Sequence, residues 1–317
     1  MQRRRLTLAY AVLSLVVWCD ATLAQAQDSR AGQVDLSKPP AARELGIAHY
    51  KSGDYARAVT YLEEAVAQSA DDKEATQLLG LSYYLLGRVP QAIPLLERVQ
   101  SWFPTANLDA TYILGVCYIQ TKDFDKARRA FAAMYGVEPE SAAAHLFLAR
   151  MLLRQGFDVD AEKNTHKAIE LDPRLPLAHF LMGEFHMFKS RIPEAIAAFE
   201  KELALNPAHA AAHYKLADAY SRAGKWEEAH RLLQRSIWLD ATATGPYVLM
   251  GKVLLKKNEN ELAARTLERA LQMDPSNFIA HHMLGQAYRA LGRIQDAERE
   301  LKRAQELQSA QSPNPTP

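Results

Sequence analysis

The chain has 317 residues, of which 48% are hydrophobic, and this composition argues against extensive disorder. Its 38 lysines and arginines are almost balanced by 37 aspartates and glutamates, which argues against nucleic acid as the main ligand, because phosphate binding requires a basic excess. Two distant cysteines, Cys19 and Cys117, provide no CxxC redox site and no cysteine-based zinc site, so Cys117 is predicted to be a small buried residue.

Residues 1–26 are typical of a secretory signal. Three arginines at positions 3–5 precede an apolar run of 13 residues, from Leu6 to Trp18, which is too short for a comfortable membrane span. An A-x-A cleavage site follows at residues 24–26. This pattern predicts an exported chain, periplasmic or secreted, with no membrane span after cleavage. An uncleaved anchor is the alternative.

After a polar lead-in at residues 27–38, the chain is periodic. Small residues recur every 34 positions, with a single step of 35 that indicates an inserted residue near Asn107. The first series is Gly46, Gly80, Gly115, Ala149, Gly183, Ala217, Gly251 and Gly285, and the second is Ala58, Ala92, Ala127, Ala161, Ala195, Ala229, Ala263 and Ala297. We predict that the two series meet where two helices cross, since small side chains let helices pack closely.

The periodicity predicts eight helix-turn-helix units within residues 39–309. Their predicted bounds are 39–72, 73–106, 108–141, 142–175, 176–209, 210–243, 244–277 and 278–309, followed by a disordered tail at 310–317. Neither helix of a unit can bury its apolar stripe alone, so the units are expected to stack.

The second unit displays a known repeat signature. Its matching residues are Thr76, Leu79, Gly80, Tyr83, Ala92, Leu96, Val99 and Pro104, which follow the pattern W-x2-L-G-x2-Y, A-x3-F and a late proline except at the tryptophan and the phenylalanine. The sequence therefore resembles the tetratricopeptide repeat (TPR) family. The resemblance implies an all-α fold, a right-handed superhelical solenoid of eight helix-turn-helix repeats that binds a protein or peptide.

By the same resemblance, the first helix of each unit lines a concave groove with its second, fifth, ninth, twelfth and thirteenth positions. In units two to five these positions are mainly apolar or aromatic, and two arginines lie among them. The predicted groove residues are Leu81, Tyr84, Tyr112, Val116, Ile119, Leu146, Arg150, Leu153, Arg154, Phe180, Met187 and Phe188. Exposed aromatic residues beside arginine are typical of peptide-binding hot spots. From unit six onward the same positions become polar.

Histidines and one glutamate are the other candidates for chemistry. Seven of the ten histidines lie between residues 145 and 230, but repeats stack about 10 Å apart, so histidines one unit apart cannot share a metal ion. We therefore predict that they lie at the edge of the core. Glu202 occupies a position where other units have alanine. A displacement of Glu202 into solvent is favoured over a pair with His209 or His213.

No catalytic signature is present in the sequence: it contains no GxSxG, P-loop, HExxH or GxGxxG motif. We predict a non-enzymatic extracytoplasmic scaffold with no catalytic residue, cofactor or metal. Envelope assembly, secretion and polysaccharide export are the expected settings. The alternatives are an enzyme or enzyme subunit that uses the histidine-rich middle units, and a self-assembling structural module.

Overall fold

A computed structural model of the protein describes residues 41–104 and 107–311. The predicted signal at residues 1–26, the lead-in at 27–38 and the end of the tail, residues 312–317, lie outside the described residues. The described part is all-helical and forms eight consecutive helical hairpins. Its last helix continues to Gln311 and so includes the first two residues of the predicted tail.

Each hairpin consists of a first and a second helix. In chain order the helices are α1 (Ala42–Lys51), α2 (Tyr55–Gln68), α3 (Lys73–Leu85), α4 (Val89–Trp102), α5 (Leu108–Gln120), α6 (Phe124–Tyr135), α7 (Ala142–Arg154), α8 (Asp158–Leu171), α9 (Ala178–Phe188), α10 (Ile192–Leu205), α11 (Ala210–Arg222), α12 (Trp226–Leu239), α13 (Thr244–Lys256), α14 (Asn260–Met273), α15 (Phe278–Ala290) and α16 (Ile294–Gln311).

Local sequence signals account for the helix ends. The side chains of Asp72, Asn107 and Asn277 accept hydrogen bonds from backbone N–H groups in the first turns of α3, α5 and α15. Within every hairpin the turn contains a residue with positive φ, which is glycine in five hairpins and Lys122, Ser190 or Asn258 in the other three. These short turns keep the two helices of each hairpin in contact.

The glycine at the middle of most first helices allows close packing within the hairpin. A Cβ atom added to Gly183 would lie 2.5 Å from the ring of Phe199, and one added to Gly251 would lie 2.4 Å from Leu267. The glycine therefore faces the large apolar residue four positions after the recurring alanine. In the eighth hairpin the backbone oxygen of the recurring Ala297 also lies 3.2 Å from a Cβ added to Gly285, so the predicted meeting of the two small residues is only part of this contact.

A tyrosine–glutamate hydrogen bond recurs between successive hairpins. Tyr118 donates to Glu97 at 2.5 Å, and Tyr220–Glu200 and Tyr288–Glu268 are equivalent pairs at 2.7 Å, while Tyr83 bonds Glu63 in the same way. Burial, followed by the bond to Glu63, raises the pKa of Tyr83 to about 12, so the hydroxyl remains a donor at neutral pH. At the equivalent position the fifth hairpin has His186.

The first helices lie on the inner side of the array. Most consecutive first helices contact one another, whereas no comparable contact joins consecutive second helices in the described part. The ion pair between Glu184 of α9 and Lys215 of α11, 3.1 Å long, is one such contact. No helix among the described residues is long and apolar enough to cross a membrane.

Candidate peptide-binding groove

The structure divides the twelve predicted groove residues into three classes of exposure. Leu153, Arg154 and Phe188 are exposed, and Leu81, Tyr84, Tyr112, Arg150 and Phe180 are partly buried. The remaining four, Val116, Ile119, Leu146 and Met187, are at most 9% exposed. Neighbouring helices cover these four side chains, so they do not reach the groove surface, contrary to their predicted place in it.

Tyr112 and Phe180 are only partly available to a partner. The ring of Tyr112 lies 6.2 Å from that of Phe131 in its own hairpin, and the ring of Phe180 lies 5.8 Å from Phe199. Because Phe131 and Phe199 are fully buried, removal of either outer ring would also loosen the hairpin. A change at these two positions would therefore mix a loss of binding with a loss of stability.

In hairpins two to five, the exposed apolar side chains of the inner face lie in the last turns of the first helices. Phe188 ends α9 and is 77% exposed, while Leu153 in the last turn of α7 is 36% exposed and Leu85 at the end of α3 is 47% exposed. Exposed phenylalanine is costly in water and is typical of interaction surfaces. We define the apolar edge as Leu85, Leu153 and Phe188.

Two arginines in α7 lie beside the apolar edge. Arg150 and Arg154 are one helical turn apart, and neither has a hydrogen bond or ion pair with another described side chain. Burial lowers the pKa of Arg150 and the nearby charge of Arg154 lowers it further, while Tyr135 and the carboxylate of Glu184 act in the opposite direction. Because the guanidinium is partly removed from water and has no direct ion pair among the described residues, this position favours an anionic group from a ligand.

The sixth position of the first helices also contributes to the inner face, although it was not among the predicted groove positions. Lys215 occupies this position in α11 and bonds Glu184 of the preceding first helix, so it too lies on the inner face. Tyr214 also lies there, since a Cβ atom added to Gly245 of the next first helix would be 3.2 Å from its hydroxyl. Tyr214 is the fifth position of unit six, which is one of the predicted groove positions. It was not named among the groove residues because most of the other groove positions in that unit are polar.

The histidines in the position of the family's tryptophan have a structural role. His179, His213 and His281 each bond the carbonyl oxygen six residues earlier, at Pro173, Pro207 and Pro275, over 2.9–3.1 Å. His145 bonds Asn164 instead, at 2.8 Å. No group of three metal-ligating side chains occurs in the part of the chain that the structure describes. The imidazoles of His179, His213 and His281 thus join the fifth, sixth and eighth hairpins to the linkers that precede them.

Glu202 is buried, and its predicted displacement into solvent was wrong. The carboxylate is 0% exposed and accepts hydrogen bonds from the backbone N–H of Leu177, at 3.0 and 3.3 Å, and lies 3.1 Å from Nδ1 of His209. The pair with His209, which was the less favoured of the two predictions, is the one observed. The ring of His209 also packs on Phe180, with centroids 4.8 Å apart.

A second concavity lies outside the groove, between the third and fourth hairpins. It has a volume of about 890 Å³ and is lined mainly by charged side chains of α6 and α8, including Arg128, Lys163 and Glu162. Arg128 is already paired with Asp125 and Glu140, and Glu162 with Lys189 and Arg191. This cleft is therefore largely neutralised by its own ion pairs.

Two family models match the sequence. One, described as the cilia and flagella-associated protein 70 C-terminal domain, matches residues 8–283, and one described as tetratricopeptide repeat matches residues 254–313. The chain belongs to the TPR family. Together with the helical hairpins, this membership confirms the predicted all-α TPR solenoid. The TPR fold suggests a scaffold for protein–protein interaction, and TPR proteins typically bind peptides or proteins.

Individual relatives are distant. A segment of 172 residues is 27% identical to the human antiviral innate immune response effector IFIT1, covering 46% of this chain and 36% of that protein. Among solved structures, PilF of Pseudomonas aeruginosa is 20% identical with a TM-score of 0.51, over 64% of this chain and 97% of that one. MamA of Desulfovibrio magneticus is 19% identical with a TM-score of 0.50, over 54% and 97%. At these identities the two structures show the fold alone.

Proposed function

We propose that this TPR protein is a non-enzymatic, extracytoplasmic scaffold that binds a segment of a partner protein in its inner groove. The apolar edge carries the proposal, and Phe188 is its most exposed member at 77%. A side chain of that size in water is stabilised when a partner covers it.

The arginines of α7 add specificity to this surface. Arg150 and Arg154 lie beside Leu153, and their guanidinium groups have no hydrogen bond or ion pair among the described residues. An apolar anchor flanked by charged donors is the usual composition of a peptide-binding hot spot. The partner segment therefore combines an apolar side chain with hydrogen-bond acceptors.

The extracytoplasmic location rests on the sequence of residues 1–26, with its arginines at positions 3–5, apolar run and A-x-A site. Fusion of residues 1–26 to a phosphatase that is active only after export tests it. We expect activity outside the cytoplasm and its loss when Leu15 is replaced by Glu. Enzyme activity that remains in the cytoplasm with the native leader would refute the location but not the groove.

Given that location, the groove would serve envelope assembly, secretion or polysaccharide export. A second candidate function, self-assembly, is favoured by two exposed isoleucines of the eighth hairpin, Ile279 at 44% and Ile294 at 53%. Light scattering of the purified chain distinguishes the two, because stacking through this hairpin predicts a mass that rises with concentration.

The groove is tested by affinity capture from an envelope fraction with the tagged full chain. We expect the substitutions Leu153→Ser and Phe188→Ser together to abolish capture of a discrete partner while the circular dichroism spectrum stays unchanged and the melting temperature falls only slightly. Phe188 is 77% exposed and contributes little packing, whereas Leu153, at 36%, loses some of its contacts.

The matched control is Val159→Ser with Trp238→Ser. These residues lie on second helices and are 76% and 71% exposed, so the double variant loses a similar amount of exposed apolar surface. It should capture the partner as the native chain does. Equal loss with both double variants, or capture unaffected by the groove variant, would contradict the groove assignment.

A further inference from the structure

The inner face has a different charge in its two halves. The second, fifth, ninth, twelfth and thirteenth positions of hairpins four to eight hold six lysines and arginines but only two carboxylates. In the described residues of hairpins one to three, the same positions hold two cations and two carboxylates. The overall formal charge of the chain is only +1, so the excess in the second half is local.

Both carboxylates of the second half are already in ion pairs, so they do not neutralise the remaining cations. Glu184 pairs with Lys215 at 3.1 Å, and Asp218 pairs with Arg222 at 3.0 Å. Five cations have no hydrogen-bond or ion-pair partner among the described residues: Arg150, Arg154, Lys252, Lys256 and Arg289. In the first half, by contrast, Arg43 pairs with Asp72 and Glu74.

The five cations follow the inner face from α7 to α15. They form pairs one helical turn apart in α7 and in α13, followed by Arg289 in the last turn of α15. Successive hairpins stack at roughly 10 Å, so α7 and α13 are on the order of 30 Å apart. An extended segment of about ten residues bridges that distance.

We propose that the groove selects an acidic segment of a partner protein, whose aspartate and glutamate side chains meet the five unpaired cations while an apolar residue covers Phe188. This inference rests on the proposed function and specifies the chemistry of its ligand. Complementary charge along a groove accelerates association and excludes basic segments. A protein segment fits better than a nucleic acid, because the apolar edge adjoins the cations. A phosphate backbone could pair with the cations but would leave the apolar edge without an apolar contact.

The test uses the purified full chain and a displayed library of random peptides of about 16 residues, long enough to span α7 to α13. Binders whose capture is lost in the variant carrying Leu153→Ser and Phe188→Ser are retained as groove-dependent. We expect this set to be strongly enriched in aspartate and glutamate. Their affinity, measured by fluorescence anisotropy, should weaken as salt rises from about 50 to 200 mM because screening grows.

Two charge variants then assign the cations. Lys252→Gln with Lys256→Gln should weaken the affinity for the acidic peptides about tenfold. The matched control, Arg231→Gln with Arg235→Gln, removes two exposed charges one helical turn apart on the second helix α12 and should leave the affinity unchanged. Both double variants have the same net charge, so a general electrostatic effect would weaken both equally.

Four outcomes would overturn the inference. Groove-dependent binders that are neutral or basic, or acidic binders that lose no affinity in the Lys252 and Lys256 variant, would leave a groove without charge selection. A single-stranded poly(U) RNA that binds through these lysines when acidic peptides do not would identify a nucleic-acid surface instead. A library without any groove-dependent binder would refute the proposed function as well.

Discussion

The fifth and eighth hairpins show how differently one repeat can begin. In the eighth, Asn277 caps α15, a helix of 13 residues, by accepting a hydrogen bond from the backbone N–H of Ala280 at 3.0 Å. In the fifth, α9 has 11 residues and begins after Leu177, whose φ of +70° is unusual for a bulky residue and costs about 1–2 kcal/mol. No side chain in the linker caps this helix.

Glu202, in the second helix of the same hairpin, compensates for the missing cap. Its carboxylate accepts the N–H of Leu177, whereas the eighth hairpin has the buried Ala304 at the equivalent position. Ser236, the equivalent residue in the sixth hairpin, likewise contacts the start of its first helix, bonding the carbonyl oxygen of Ala210 at 3.0 Å. The comparison teaches that a repeat tolerates an irregular start when a distant side chain supplies the missing partner.

The largest expected effect concerns what the two hairpins share. Gly183→Leu and Gly285→Leu should each lower the free energy of unfolding by about 3 kcal/mol, because the new side chain would overlap Phe199 or Leu301. Urea denaturation followed by circular dichroism measures the loss. Ala197→Leu, at an exposed position of α10, is the control and should change stability little. A much smaller cost at Gly183 than at Gly285 would mean that the fifth hairpin is packed more loosely.

The second prediction concerns what distinguishes the fifth hairpin. Glu202→Ala should cost about 2–3 kcal/mol in the same assay, since it leaves the partly buried N–H of Leu177 without its acceptor. Ser236→Ala, at the equivalent position, removes one neutral hydrogen bond and should cost about 1 kcal/mol. Unchanged or increased stability of the Glu202 variant would show that the buried carboxylate is not a compensating cap.

The smallest expected effect is on pH dependence. Burial lowers the pKa of His186 in the fifth hairpin and of His213 in the sixth, and Arg191 adds to the shift at His186. The unfolded chain therefore binds more protons than the folded chain as pH falls through about 6.5, so the melting temperature should decrease from pH 7 toward pH 5.5. His186→Gln with His213→Gln should flatten this decrease, whereas His282→Gln, at an exposed position of the eighth hairpin, should not. The opposite slope would contradict a neutral state of these two partly buried imidazoles in the folded chain.

The repeat could be predicted from the sequence because its signals are local. A small residue every 34 positions, a turn between two apolar stripes and a carboxylate or amide at the helix start each act within one hairpin. Gly183 and Asn277 illustrate this, since their partners lie within about one unit along the chain. The contacts between histidines and the prolines six residues earlier are likewise local in sequence.

The groove was predicted less completely, because exposure depends on neighbouring hairpins. Met187 and Phe188 are adjacent in sequence and both apolar, yet the first is 9% exposed and the second 77%. No pattern within one helix separates them, since the stacking of the next hairpin decides which side chain it covers. The same dependence explains why Val116 and Ile119 are buried.

The sequence by itself therefore determined the family, the hairpin and the apolar character of the inner positions, all of which follow from short-range spacing. Only the tertiary structure decided that Glu202 is buried against Leu177 and His209, and that Glu184 forms its ion pair with Lys215 and not with Arg150. The physical reason is that burial and ion pairing are set by distances between helices, which a one-dimensional pattern does not contain.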